Sequence, residues 1–208
     1  MKKISLILIV AVTATKLCAQ PSLQSLIQPI SGEGLGKKST LPASKVDFDA
    51  FEALTSEVKE YRKDRIVGIG MFLTMAKEKN TIVLDTRSTE MYNAKHIKGA
   101  IHLNFSDFNV ASLKRLIPDS NIRILIYCNN NIDNDPIFFV TKSIQPKQSF
   151  RFLKPQQELT LALNIPTFIN LYGYGYKNVY ELGDLISVNS SWMNFEGTAV
   201  PKVVTGRN

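Results

Sequence analysis

Cysteine is nearly absent from this chain: there are two in 208 residues, Cys18 and Cys128, too far apart to form a Cys-x-x-Cys pair. That excludes a disulfide framework and thioredoxin-like redox chemistry. Histidine is equally scarce, also two, and no cluster of His, Cys and carboxylates has the spacing of metal ligands, so neither a metal nor a cofactor is expected. No apolar run reaches the length of a stable bilayer span. The formal net charge is +7, yet no dense Lys/Arg stripe with interleaved aromatics accompanies it, so nucleic acid is not an expected partner. What is present is enough apolar material, 44% of residues, for a proper core and one domain with additions.

The first residues, MKKISLILIVAVTATKLCAQP, have the form of a targeting segment. Lys2 and Lys3 make a positive start, Ile4 to Val12 is a short apolar run, and small residues lead to Ala19. Residues 1–19 are therefore expected to be a signal peptide, cleaved before Gln20, with periplasmic or secreted localisation and no stable membrane span afterwards. Lipid anchoring at Cys18 is the rival outcome, disfavoured by Lys16 and Leu17 just before it. Cleavage would remove Lys2, Lys3 and Lys16, three charges of the +7, leaving +4. It would also leave Cys128 as the single cysteine, a thiol that no internal partner can staple.

Residues 20–45, rich in Pro, Gly and Ser, read as a flexible leader, and 46–208 as a single domain. Phe48, Phe51, Leu54 and Val58 stand near helical spacing behind Asp47 or Asp49 as cap. A second short helix (70–79), a strand (81–87), a helical turn (89–96), a short strand (99–104), a helix (109–117) and the most apolar strand (122–128) follow. A helix with Pro166 in its first turn (165–175) and a last strand (177–182) complete the series. Strands alternating with helices predict an α/β fold with a mostly parallel central sheet. Between Cys128 and Pro166 lie 37 residues, too many for an ordinary connection. Residues 133–163 are read as an insertion bordering the cysteine, with an apolar patch at PIFFV (136–140) and a helix within QQELTLALN (156–164).

The stretch LIYCNNNIDND, 125–135, carries the chemistry. Ligands of open parallel sheets gather at the carboxyl ends of the strands, where Cys128, Asp85 and Arg87 all stand. A thiol there is nucleophilic as thiolate, which needs cations or converging backbone N–H groups. Asparagine tolerates left-handed backbone, so Asn129, Asn130 and Asn131 are able to curl into an anion nest; the alternative is a small buried hydrophobe at the end of a core strand.

IVLDTRSTEMYNAKHIKGAIHLN resembles the first rhodanese signature, through Asp85, Arg87, Tyr92, His96, Ile97, Gly99 and Ala100. ILIYC resembles the strand that presents the rhodanese cysteine, and LYGYGYKNVYELGDLI the family's closing segment. The resemblance spans roughly residues 65–186 and implies a five-stranded, mostly parallel sheet flanked by helices. It implies Cys128 as the persulfide-forming nucleophile and Asn129, Asn130, Asn131, Ile132 and Asp133 as its cradle. Arg87 would be an anion contact, with Asp85 and His96 in support. The cradle departs from the pattern: it has no glycine, Asp133 stands where a basic or hydroxyl residue closes the loop, and Asp135 follows. Two carboxylates near the sulfur would raise its pKa and repel thiosulfate. Lys95, Lys142, Lys147 or Lys154 could restore positive charge. The insertion also stands between the loop and the helix that should aim at the sulfur, which is expected to displace that helix.

Three readings follow. The first is an exported sulfurtransferase, weak with thiosulfate, whose partners are a small sulfur-containing anion and a thiol acceptor. The second is a non-catalytic module binding a protein or small anion. The third is a phosphatase or arsenate reductase of the same fold, for which Asn134 stands where an arginine is wanted. The plainer and favoured roles are for Asp85 and Arg87 to tie down the strand end, for His96 a structural hydrogen bond, for Tyr172, Tyr174 and Tyr176 packing, and for Trp192 a cover over the core.

Overall fold

In the computed structural model, residues 41–145 and 158–201 are described; the expected signal peptide, nearly all of the leader, Lys147 and Lys154 lie outside them. The chain divides after Val46, and residues 41–46 carry no regular helix or strand. Among the described residues no helix is long and apolar enough to cross a membrane.

Helix α1, Phe48–Arg62, starts where Asp47 caps it by accepting the Ala50 N–H. The strand β1 (Ile66–Val67), helix α2 (Ile69–Ala76), strand β2 (Thr81–Asp85) and helix α3 (Thr89–Ala94) follow. Then come β3 (His96–Ile97), β4 (Ile101–His102), α4 (Val110–Leu116) and β5 (Arg123–Tyr127). Beyond Cys128 the chain forms β6 (Ile132–Asp133), β7 (Ser143–Ile144), β8 (Leu159–Thr160), α5 (Asn164–Gly173), β9 (Val179–Leu182), β10 (Ile186–Ser187) and β11 (Phe195–Glu196).

Five strands form a fully parallel sheet in the order β1-β9-β5-β2-β4, with β5 at its centre. The apolar run of β5 is continuous because both faces are covered. Ile124 and Ile126 face Leu54 and Val58 of α1, Leu113 of α4 and Phe168 and Leu171 of α5. Leu125 and Tyr127 face Phe72 of α2, Ile97, Phe139 and Met193. Strand alternation then turns the next side chain, Cys128, toward the face that carries α1 and α5. Each fully buried Leu, Ile or Phe contributes about 1.5–3 kcal/mol. Helix α5 stops where Gly175 takes φ +94°, a left-handed position that glycine fills without strain.

Two expectations outside the site are corrected. The segment around Leu159–Thr160 is a strand, not a helix, because it pairs antiparallel with Ser143–Ile144. Trp192 is 60% exposed; its neighbour Met193 fills the core position instead.

Candidate functional site

Cys128 ends β5 in extended backbone and caps a single 3₁₀ turn, Asn129–Asn131. Its Sγ accepts the Asn130 N–H at 3.3 Å, while its own N–H donates to Asn131 Oδ1 at 2.9 Å. The three asparagines therefore turn right-handed rather than left-handed; among the described residues only Asn134 combines a side chain with positive φ, 64°. No nest of the expected kind forms. The turn instead uses the asparagine side chains, which a polar triplet supplies and an apolar one would not.

The insertion does not displace the helix. Asn164, the first residue of α5, lies beside the sulfur, and Cys128 Sγ donates to Asn164 Oδ1 at 2.7 Å. The thiol is 1% exposed. Burial pushes its pKa up; hydrogen bonds from the backbone of Asn164, Asn130 and Leu163 pull it down less strongly, and the charge of Glu181 pushes it further up. The carboxylate that bears on the sulfur is thus Glu181, not Asp133 or Asp135. Asp133 is exposed, turned out where β6 pairs with β10. Asp135 pairs with Lys95 at 2.7 Å and accepts the Phe138 N–H. That lysine also lies over the Phe138 ring, so it neutralises Asp135 rather than serving the sulfur.

Arg87 does not face an anion site either. It is 3% exposed, forked onto Asp85 through Nε and Nη2, and it donates to the backbone carbonyls of Phe138 and Lys95. Asp85 also accepts the Tyr127 hydroxyl, and that hydroxyl accepts the Ile97 N–H. The cluster ties β2, β5 and β3 to the start of the insertion. His96 stacks on Tyr92, bonds Tyr92 O through Nδ1 and approaches Glu196 at 3.3 Å, all structural contacts. Asn129 is buried, its Oδ1 without a hydrogen-bond partner among the described residues, and Ile132 packs into the core. Asn130 is held on the insertion by a reciprocal pair: its Oδ1 accepts Lys142 N–H at 2.9 Å and its Nδ2 donates to Lys142 O at 3.3 Å. Lys142 contributes backbone to the site.

Sequence reasoning missed Asn164, Glu181 and Arg62. Glu181 is 5% exposed, and its side chain accepts from Asn164 Nδ2 at 2.9 Å and from Arg62 Nε and Nη2 at 2.5 and 2.6 Å. The signal available was a lone glutamate inside the apolar strand VYEL, and an asparagine at the start of the helix bearing Pro166.

A parallel five-stranded sheet with a cysteine at the carboxyl end of its central strand, facing a helix N-terminus, defines the class. The profile of the rhodanese-like domain matches residues 70–183. The chain belongs to the rhodanese-like domain family, and with it to the sulfurtransferase superfamily. An uncharacterized protein of Buchnera aphidicola subsp. Schizaphis graminum (strain Sg) is 27% identical over 107 residues, 51% of this chain and 71% of that protein. Two solved structures are similar. The BH2092 protein from Bacillus halodurans is 20% identical with a TM-score of 0.39, over 73% of this chain and 88% of that one. The Alr3790 protein from Anabaena sp. is 19% identical with a TM-score of 0.38, over 63% of this chain and 81% of that one.

Proposed function

We propose that this is an exported rhodanese-like sulfurtransferase with an enlarged active-site loop, in which Cys128 carries sulfane sulfur as a persulfide. The observation that supports it most is a single thiol at the end of the central strand whose Sγ accepts the Asn130 N–H at 3.3 Å and stands beside Asn164, the first residue of α5. Dipoles aimed at one sulfur stabilise charge that develops there during exchange.

The reaction is an exchange without net oxidation. Cys128 loses its proton, attacks the outer sulfur of a hydropersulfide R–S–S–H and breaks its S–S bond. R–S⁻ leaves and takes up a proton, and Cys128–S–S–H remains. An acceptor thiolate attacks that outer sulfur in turn and restores Cys128. The donor class is a hydropersulfide or polysulfide rather than thiosulfate. Arg62, Arg87 and Lys95 are already paired with Glu181, Asp85 and Asp135, so none of these three is left to neutralise a dianion beside the sulfur.

Intact-mass measurement after treatment with a small hydropersulfide should show one added sulfur on the native protein and none on Cys128→Ser, with thiosulfate:cyanide transfer weak or absent. A native protein that gains no sulfur, while a control thiol in the same tube does, overturns the assignment. For export, the expected mature N-terminus is at or near Gln20, and N-terminal mass analysis that finds Lys2 retained, or a diacyl group on Cys18, rejects it.

A further inference from the structure

Behind the sulfur runs a chain of buried polar groups whose orientation is fully determined. Asn131 Nδ2 donates to the carbonyls of Leu182 and Asp184 at 2.8 and 3.3 Å. Its Oδ1 is therefore the atom that accepts both Cys128 N–H and Asn164 Nδ2, the latter at 3.1 Å. Asn164 in turn spends its two N–H groups on Asn131 Oδ1 and Glu181 Oε1, which leaves its Oδ1 turned to Cys128 Sγ. Rotating that amide by half a turn would set its oxygen against two acceptors, one of them a carboxylate. Arg62 occupies both oxygens of Glu181, so the carboxylate is not free to turn away. The sulfur consequently faces a carbonyl oxygen, which accepts from a neutral S–H and repels a thiolate.

We propose that Asn164, Glu181 and Arg62 are positioning residues that hold Cys128 as the neutral thiol, and that Glu181, acting through the locked Asn164 amide, governs when Cys128 becomes the nucleophile. The proposal deepens the sulfur-transfer reading and concerns the same thiol. Among the described residues, Asp85 and Arg87 satisfy each other, Lys95 satisfies Asp135, and Asp184 accepts the Ile69 N–H, so none of these competes for the role.

Glu181→Gln removes the negative charge behind the locked amide, so a thiolate on Cys128 no longer faces it, while Asn131 Oδ1 still holds the Asn164 amide as before. The experiment is the pH profile of Cys128 alkylation by iodoacetamide, which requires no sulfur donor. Glu181→Gln should move the midpoint down by about one pH unit, roughly tenfold more thiolate at neutral pH. Arg62→Met leaves the carboxylate uncompensated and should move the midpoint up. Opposite shifts are the signature, since a packing defect would change the rate at every pH and leave the midpoint in place. An unmoved midpoint in Glu181→Gln overturns the proposal; if that variant fails to fold, Arg62→Met decides, an upward shift supporting the proposal and an unchanged midpoint overturning it. The two readings separate cleanly. Shifted midpoints in a protein that takes up no sulfur refute sulfur transfer alone, and sulfur uptake with unmoved midpoints refutes the positioning chain alone.

Discussion

Two carboxylates follow the cysteine within seven residues, yet neither bears on it, because β6 turns Asp133 outward and Lys95 holds Asp135. Replacing Asp133 with Arg should therefore change the alkylation rate of Cys128 by less than about twofold, the scale expected of a solvent-screened surface charge. A tenfold rise would place that carboxylate against the sulfur after all. Arg87→Met is expected to be far more costly. It would leave Asp85, 0% exposed, without its cation, and removing one partner of a buried pair typically destabilises by about 3–5 kcal/mol. Urea denaturation of that variant measures it. At this scale the position of Cys128, at the end of the apolar strand β5 and the start of a polar turn, was legible from sequence. Its partners were not. Asn164 and Glu181 lie 36 and 53 positions downstream, and which polar group meets the sulfur is decided by tertiary contact rather than by local pattern.

At the scale of elements, periodicity located α1, α4, α5 and the four longer-read strands, since both the 3.6-residue and the fully buried patterns are written in the apolar positions themselves. It failed at β1 and β8, two residues each, where the strand exists only because a partner pairs with it. It also failed to see that α5 reaches the sulfur, because chain length between two points says nothing about how closely they return. The insertion leaves the cysteine turn and comes back against it: Leu161 N–H bonds Lys142 O, and Lys142 pairs with Asn130. Asn130→Ala removes the side-chain half of that docking while keeping the backbone N–H on the sulfur. Losing two hydrogen bonds of about 1 kcal/mol each should speed alkylation roughly thirtyfold at unchanged midpoint. A moved midpoint would show that Asn130 acts on the charge of the sulfur rather than on access to it.

For the whole molecule, stability should fall at both ends of the pH range, for separate reasons. Burial raises the pKa of Cys128, and burial together with Asp85 raises that of Tyr127. Acids with raised folded-state pKa values favour the fold while neutral, so their contribution is complete below their ordinary range and is lost as pH rises through the raised values. Asp135 behaves oppositely. Lys95 and the Phe138 N–H hold its pKa below the usual carboxylate range despite partial burial, so its contribution stands above that range and is lost as pH falls through the lowered value. Thermal melts across pH should show Cys128→Ala flattening the alkaline limb and Lys95→Met flattening the acid limb. A Cys128→Ala melt curve parallel to the native one at alkaline pH would refute the first.

The near-complete enclosure of Cys128 also bears on how long the protein lasts. Peroxide and disulfide partners react with thiolate, and with sulfur they can touch, so a neutral thiol at 1% exposure is a poor target for both. Under the proposed export, a single surviving cysteine would otherwise drift toward sulfenic acid or toward disulfide-linked pairs of molecules. The amide proposed to hold the thiol neutral would then be the same group that keeps it reduced. Loosening it by mutation should exchange durability for speed.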